Sequence, residues 1–155
     1  RLSTPINNKR GLSDVLYDLA IHDISIIDNL FGLTSHRINT KNLQKTDNQV
    51  SSAEVSFTLN DIDVSLITSS SASLNKREWE VYTDEFLYIF DFLNLKIIKK
   101  HTEKEIPPEV KSLNSDISSL HMQLDDFILS IEKKDSDYKH LETIKNTHYF
   151  IESLY

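Results

Sequence analysis

The sequence predicts an α+β fold, an open and mostly antiparallel β-sheet with covering helices. Three observations carry this. A nearly all-apolar helical run, Val15 to Phe31, sits between capping residues and Gly32. From Ala53 the apolar period changes to two, and closely spaced strand-like runs follow to about Lys99. Beyond Pro107-Pro108 the helical period returns twice before the chain closes.

The elements follow in order. The opening residues, with Pro5, Asn7, Asn8 and Gly11, read as loop. Ser13 or Asp14 can cap a helix that runs to about Phe31, where Gly32 supplies the stop. Its apolar residues, among them Val15, Leu16, Leu19, Ile21, Ile24, Ile26, Ile27 and Leu30, lie nearly all round, which predicts a buried helix. At about 100° per residue, Asp14, Asp18, His22, Ser25 and Asn29 share one stripe, a polar seam along that helix. Residues 34–51 are polar and irregular, with room for a short edge strand. Ala53, Val55, Phe57 and Leu59 then alternate with polar residues, and Ile62, Val64 and Leu66 do so again after Asn60-Asp61, which predicts a tight hairpin. Further strands are expected at Lys76 to Tyr82, Phe86 to Phe90 and Leu95 to Lys99. Ile106-Pro107-Pro108 begins a connector. Two closing helices are predicted. The first is capped by Asn114 or Ser115 and carries Ile117, Leu120, Leu124, Phe127, Ile128 and Ile131. The second starts near Tyr138 and carries Leu141, Ile144, Ile151 and Leu154.

Composition narrows the function. A chain of 155 residues makes one domain of ordinary size with a real core, so residues 1–155 read as a single domain. The chain opens on Arg1 without an initiator Met and reads as a fragment or a trimmed product, with no signal peptide and no membrane span. The absence of cysteine excludes disulfides and thiolate metal sites and suits the cytoplasm. A net charge of −7, with scattered Lys and Arg, argues against a nucleic-acid partner. Only two glycines occur, Gly11 and Gly32, so neither a dinucleotide-binding nor a Walker glycine loop is present. No histidine pair has zinc-ligand spacing with a third ligand nearby, so no metal site is expected.

Asp18 and His22 stand at i and i+4, close enough on a helix for their side chains to interact. A carboxylate near an imidazole orients it and raises its proton affinity, which suits a general acid or base. An ordinary helix-surface ion pair has the same spacing. The apolar surround and the continuation of the seam through Ser25 and Asn29 favour a pocket wall, but spacing leaves both readings open.

The run from Val15 through Asp18-Leu19-Ala20-Ile21-His22-Asp23-Ile24 to Leu30-Phe31-Gly32 resembles the helix that opens the C-terminal domain's part of the active site in the Gfo/Idh/MocA oxidoreductases, roughly D-L-x-x-H-D-I. Later features agree in order. Ser71 to Arg77 is similar to the strand leading to the family's S-W-x-x-P-x-K-R segment, Asp91 falls where its strand pair often carries an Asp, and Leu120 to Ile128 looks like its L-x-x-E-L-x-x-F-I helix. Two departures stand out: Leu12-Ser13-Asp14 replaces a frequent Gly-Gly, and the S-W-x-x-P segment lacks Trp and Pro. The wording looks closest to members acting on UDP-N-acetylhexosamines or their uronic acids in surface-polysaccharide synthesis.

The resemblance implies the C-terminal domain of a glucose-fructose-oxidoreductase-like enzyme, whose N-terminal Rossmann domain, bearing NAD or NADP, is absent from this chain. By motif position His22 would act as acid/base on the sugar hydroxyl being oxidised, and Asp18 would orient His22 or contact the sugar. Asp14, Ser25 and Arg77 are the expected further substrate contacts. Alone, the chain is expected to be inactive and to bind neither NAD nor NADP. Expected partners are a sugar or nucleotide-sugar and further copies of the chain, docked through the open sheet face. The rival expectation is a non-catalytic oligomerisation or ligand-binding module that keeps the fold.

Overall fold

The computed structural model describes residues 14–113 and 138–155. These divide into two compact units, residues 14–75 with 138–155, and residues 76–113. The expected loop before Asp14 and the helix expected between Asn114 and Ile131 lie outside the described residues.

The first unit starts at Asp14, whose carboxylate caps the helix start by accepting from Leu16 N at 3.0 Å. A wide π-helical turn follows over Leu16–Ala20, closed by Ile21 N donating to Leu16 O, and leads into α1, Ile21–Phe31. Gly32 ends α1 at φ 73°, while the buried Asp28 carboxylate accepts from Leu33 N at 2.8 Å. Three antiparallel strands come next, in spatial order β1 (His36–Thr46), β2 (Gln49–Leu59) and β3 (Ile62–Ser69). Both hairpins turn on two residues with positive φ, 51° and 66° at Asp47-Asn48 and 47° and 66° at Asn60-Asp61. Asn and Asp tolerate that conformation, and such turns match the strand twist.

The inner face of this sheet carries Val55, Phe57, Leu59 and Leu66, all buried. Against it lie Leu16, Leu19, Ala20, Ile24 and Ile27, together with Phe150 and Ile151 of the last helix, α2, Tyr138–Ser153, and Leu154 just after it. Phe57 and Phe150 meet edge to face at 4.8 Å. The outer face is polar. Asn39 donates to Thr58 Oγ1, which donates on to Asp63, and Thr40 bonds Ser56.

The second unit is a four-stranded antiparallel sheet in sequential order: β4 (Glu78–Tyr82), β5 (Phe86–Asp91), β6 (Lys96–His101) and β7 (Glu109–Ser112). Asp91 builds the β5–β6 turn by accepting from Leu93 N at 3.0 Å and from Asn94 N at 2.9 Å.

The α+β class with an open antiparallel arrangement is therefore present, with four differences. The strands form two sheets rather than one. The region expected to be irregular is the long strand β1, whose bulge between Ile38 and Thr40 breaks the two-residue alternation that would have revealed it. β7 forms directly after Pro108, where a connector was expected, as an edge strand whose start tolerates proline. Finally, the first helix is not buried all round: Tyr17, Leu30 and Phe31 are exposed because it has the sheet on one side only. The same one-sided packing sets α2, where Leu141 is 64% and Ile144 55% exposed and the buried stripe runs instead through Thr143, Thr147, Phe150, Ile151 and Leu154.

Candidate functional site

The polar seam divides at the π-helical turn. A turn wider than 3.6 residues takes residues on either side of it off a common α-helical stripe. Asp14, half-buried, accordingly leaves the seam for β2 and the chain end. Besides Leu16 N, its carboxylate accepts from Val50 N at 3.1 Å and from the Tyr155 hydroxyl, so it ties the helix start to β2 and to the chain end. Burial and this bond to Asp14 push the Tyr155 hydroxyl far above the ordinary tyrosine range. Asp18 and His22 lie on the exposed side, with Ser25 half-buried and Asn29 exposed after them. The Ser25 hydroxyl donates to His22 O at 2.9 Å, and the Asn29 amide donates to Ser25 O at 3.0 Å, so the seam is bonded along its own helix. The carboxylates most withdrawn from solvent on α1 are Asp23 and Asp28 instead, with Asn146 of α2 donating to Asp28 at 3.4 Å.

His22 opens onto a hollow of about 220 Å³ between α1 and α2. Ile21, His22 and Ser25 form one wall, and Thr143, Ile144, Thr147 and His148 form the other. His148 also packs on Tyr17, ring centres 5.8 Å apart, and Tyr17 stacks on Tyr155 at 6.4 Å. An aromatic row thus borders the Asp18/His22 stretch. Burial, then Glu152 and Asp14, raises the Tyr17 hydroxyl above its ordinary value, so it stays neutral at physiological pH. Thr143, Thr147 and His148 escaped the sequence reading because Leu141 and Ile144 attract the apolar stripe to the wrong face. The available signal was the i, i+4, i+8 series Thr143, Thr147, Ile151.

Arg77 belongs to the second unit. Its guanidinium sits over the Phe92 ring, 5.3 Å from the ring centre, and its Nε is buried without a hydrogen-bond partner. Asp91 is committed to its turn, and bonds from Asn94, its side chain first, hold its carboxyl below the usual range. His36 bonds Leu33 O and packs on Phe150, while His101 Nδ1 accepts from Glu103 N and Lys104 N. Among the described residues no group of three or more His, Cys, Asp or Glu could hold a metal ion, and no helix is long and apolar enough to cross a membrane.

Neither a protein-family model nor a curated protein matches the sequence. Solved structures do. UDP-N-acetylglucosamine 3-dehydrogenase GnnA from Acidithiobacillus ferrooxidans superposes with a TM-score of 0.68 at 23% identity, covering 87% of this chain and 43% of that one. The dehydrogenase MviM from Clostridium difficile gives 0.72 at 15% identity, over 98% and 52% of the two chains. A point mutant of KijD10, a 3-ketoreductase from Actinomadura kijaniata solved with TDP-benzene and NADP, gives 0.78 at 10% identity, over 98% and 48%. The chain spans about half the length of these enzymes. At such identities the likeness is one of fold, and it is specific: the chain has the fold of the C-terminal half of Gfo/Idh/MocA-type oxidoreductases.

Proposed function

We propose that the chain is the substrate-binding and catalytic half of an NAD(P)-dependent oxidoreductase acting on a CH–OH group of a sugar, a nucleotide-sugar in particular. One observation carries the reading. His22 stands on an exposed helix face beside a π-helical turn, and it opens onto a hollow lined besides by small hydroxyls, apolar side chains and a second imidazole, His148. Turns of this kind recur at functional sites, and hydroxyls with apolar surface suit a sugar ring. The reading also fits a fold shared with a UDP-N-acetylglucosamine 3-dehydrogenase and a 3-ketoreductase.

The chain's part is to hold the sugar and move a proton. His22 takes the proton of the hydroxyl whose carbon is oxidised and returns one in the reverse direction. Asp18, one turn earlier, orients the imidazole and steadies its charged form. Ser25 contacts the sugar, while Asp14 serves as a positioning residue through its bonds to Leu16, Val50 and Tyr155. Arg77, expected as a substrate contact, belongs to the second unit, where its unpaired Nε favours an acceptor such as a carboxylate or phosphate. The described residues do not fit a dinucleotide, since none forms a glycine-rich phosphate turn. NAD or NADP, which would accept the hydride, would be held by another part of a longer protein, of which residues 1–155 are proposed as the single C-terminal domain. Homo-oligomers would form through the β4–β7 sheet, where Trp79, Tyr88, Phe90 and Ile97 are only half-buried on one face. We place the enzyme in the cytoplasm.

The test is turnover of UDP-N-acetylglucosamine by the full-length protein, followed by NAD(P)H absorbance. His22→Ala should lower kcat by roughly 10²- to 10⁴-fold. Wild-type rates in His22→Ala would remove the catalytic role. Sugar binding with no turnover in either protein would favour the non-catalytic module.

A further inference from the structure

We infer that Thr147 of α2 is a substrate-binding residue, whose hydroxyl takes one hydroxyl or amide group of a single sugar ring seated in the hollow beside His22. The inference rests on the sugar reading above and deepens it, because it assigns the wall facing His22.

The argument starts from an unsatisfied atom. Thr147 is 1% exposed, and its Oγ1 is buried without a hydrogen-bond partner. A threonine inside a helix ordinarily satisfies its hydroxyl on a carbonyl one turn back, and Thr147 does not. Leaving a buried hydroxyl unpaired is destabilising, so such an atom calls for a reason. Thr68 is a second orphan of the same type, but it sits on β3, paired across the strands with Ala53, and is not part of this hollow. Thr147 differs in lining the hollow that His22 and Ser25 line from the opposite side. A helix allows threonine two χ1 rotamers about 120° apart, and rotation between them carries Oγ1 to a new position while the methyl or the hydrogen on Cβ takes its former place. The hydroxyl can therefore turn to the hollow for a ligand and be buried again without one.

Size and lining choose the ligand. About 220 Å³ lies below the roughly 300–1,000 Å³ of pockets that enclose a drug-sized molecule, so the hollow suits one ring and not a whole nucleotide-sugar. Ile21 and Ile144 offer apolar surface to the C–H face of such a ring, the Ser25 hydroxyl, which donates to His22 O, can accept from its edge, and the Thr147 hydroxyl reaches that edge on rotation. The nucleotide of a nucleotide-sugar would then lie outside the hollow.

Thr147→Val and Thr147→Ser in the full-length protein test this, with N-acetylglucosamine and UDP-N-acetylglucosamine as probes in calorimetric titration. The valine keeps the shape and removes the orphan, so its thermal midpoint should equal or exceed that of the wild type. Its Kd for both probes should rise roughly 10-fold or more, while the serine variant stays within about 3-fold of wild type. Unchanged binding by Thr147→Val would overturn the inference. So would a lowered midpoint, which would mean a structural partner, and so would no binding of either probe by the wild type at millimolar concentration. If Thr147→Val loses binding while His22→Ala turns over normally, the inference stands and the catalytic role of His22 falls.

Discussion

The two units solve the problem of a one-faced sheet differently. In the first, β1–β3 present Val55, Phe57, Leu59 and Leu66 to two helices, and these side chains disappear from solvent. In the second, β4 alternates through Trp79 and Val81 and β5 is apolar from Phe86 to Phe90, yet no described residue between 76 and 113 is fully buried. Phe86, Tyr88 and Phe90 stop at half-burial, and Tyr82, Leu93 and Val110 are exposed. Alternation specifies which face is apolar, and only a covering element turns that face into a core. Catalytic geometry needs side chains held by packing, and the candidate site lies in the unit where packing is complete.

The largest expected effect measures that difference directly. Phe57→Ala empties a site sealed by Phe150 and should cost about 3–5 kcal/mol in denaturant-induced unfolding. Phe90→Ala, at a half-buried position, should cost about 1 kcal/mol in the same measurement. Equal losses would break the comparison. A Phe90 effect that grows with protein concentration would sharpen it, because a second copy would then cover that face.

Next in size is the helix start. Asp14→Ala removes the cap together with acceptors for Val50 N and the Tyr155 hydroxyl, and should cost about 2 kcal/mol. As a positioning residue it should affect activity mainly through stability, with KM recovered on cooling. A KM defect that persists at a temperature where the variant is fully folded would return Asp14 to the direct sugar contacts.

These residues also show what a sequence can and cannot carry. The Asp14 cap, the Gly32 stop, the Asn60-Asp61 hairpin and the strands near β4 to β6 were legible because each depends on neighbours within a few positions. β1 was not, since its bulge breaks the period that betrays a strand. Nor was the π-helical turn, which follows from how the helix settles on the sheet and separates Asp14 from Asp18. Of the hollow, the α1 wall could be read from the Asp18/His22 motif. The α2 wall could not, because which face of an amphipathic helix turns inward is decided by a partner distant in the sequence: Phe150 follows Phe57 and His36, leaving Leu141 and Ile144 outside.

Protonation separates the units most gently. In the first, burial and Asp14 hold the Tyr155 hydroxyl above its ordinary pKa, with Tyr17 shifted the same way, chiefly by burial. A raised folded-state value means that the contribution to stability is full below the unfolded pKa of about 10 and is lost as pH rises beyond it. Alkaline unfolding of the first unit should therefore begin near that pH, and Tyr155→Phe should flatten its pH dependence. In the second, bonds from Asn94 lower Asp91, so its contribution is present above the unfolded value of about 3.9 and is lost as pH falls through the lower folded one. Asp91 is only half-buried at the end of β5, and the effect is local. It should show as an acid titration of the Leu93 and Asn94 amide resonances with a midpoint below that of a free aspartate, abolished in Asp91→Asn. A midpoint at the ordinary value would mean that the β5–β6 turn forms without its carboxylate. The second sheet would then owe its register to strand pairing alone.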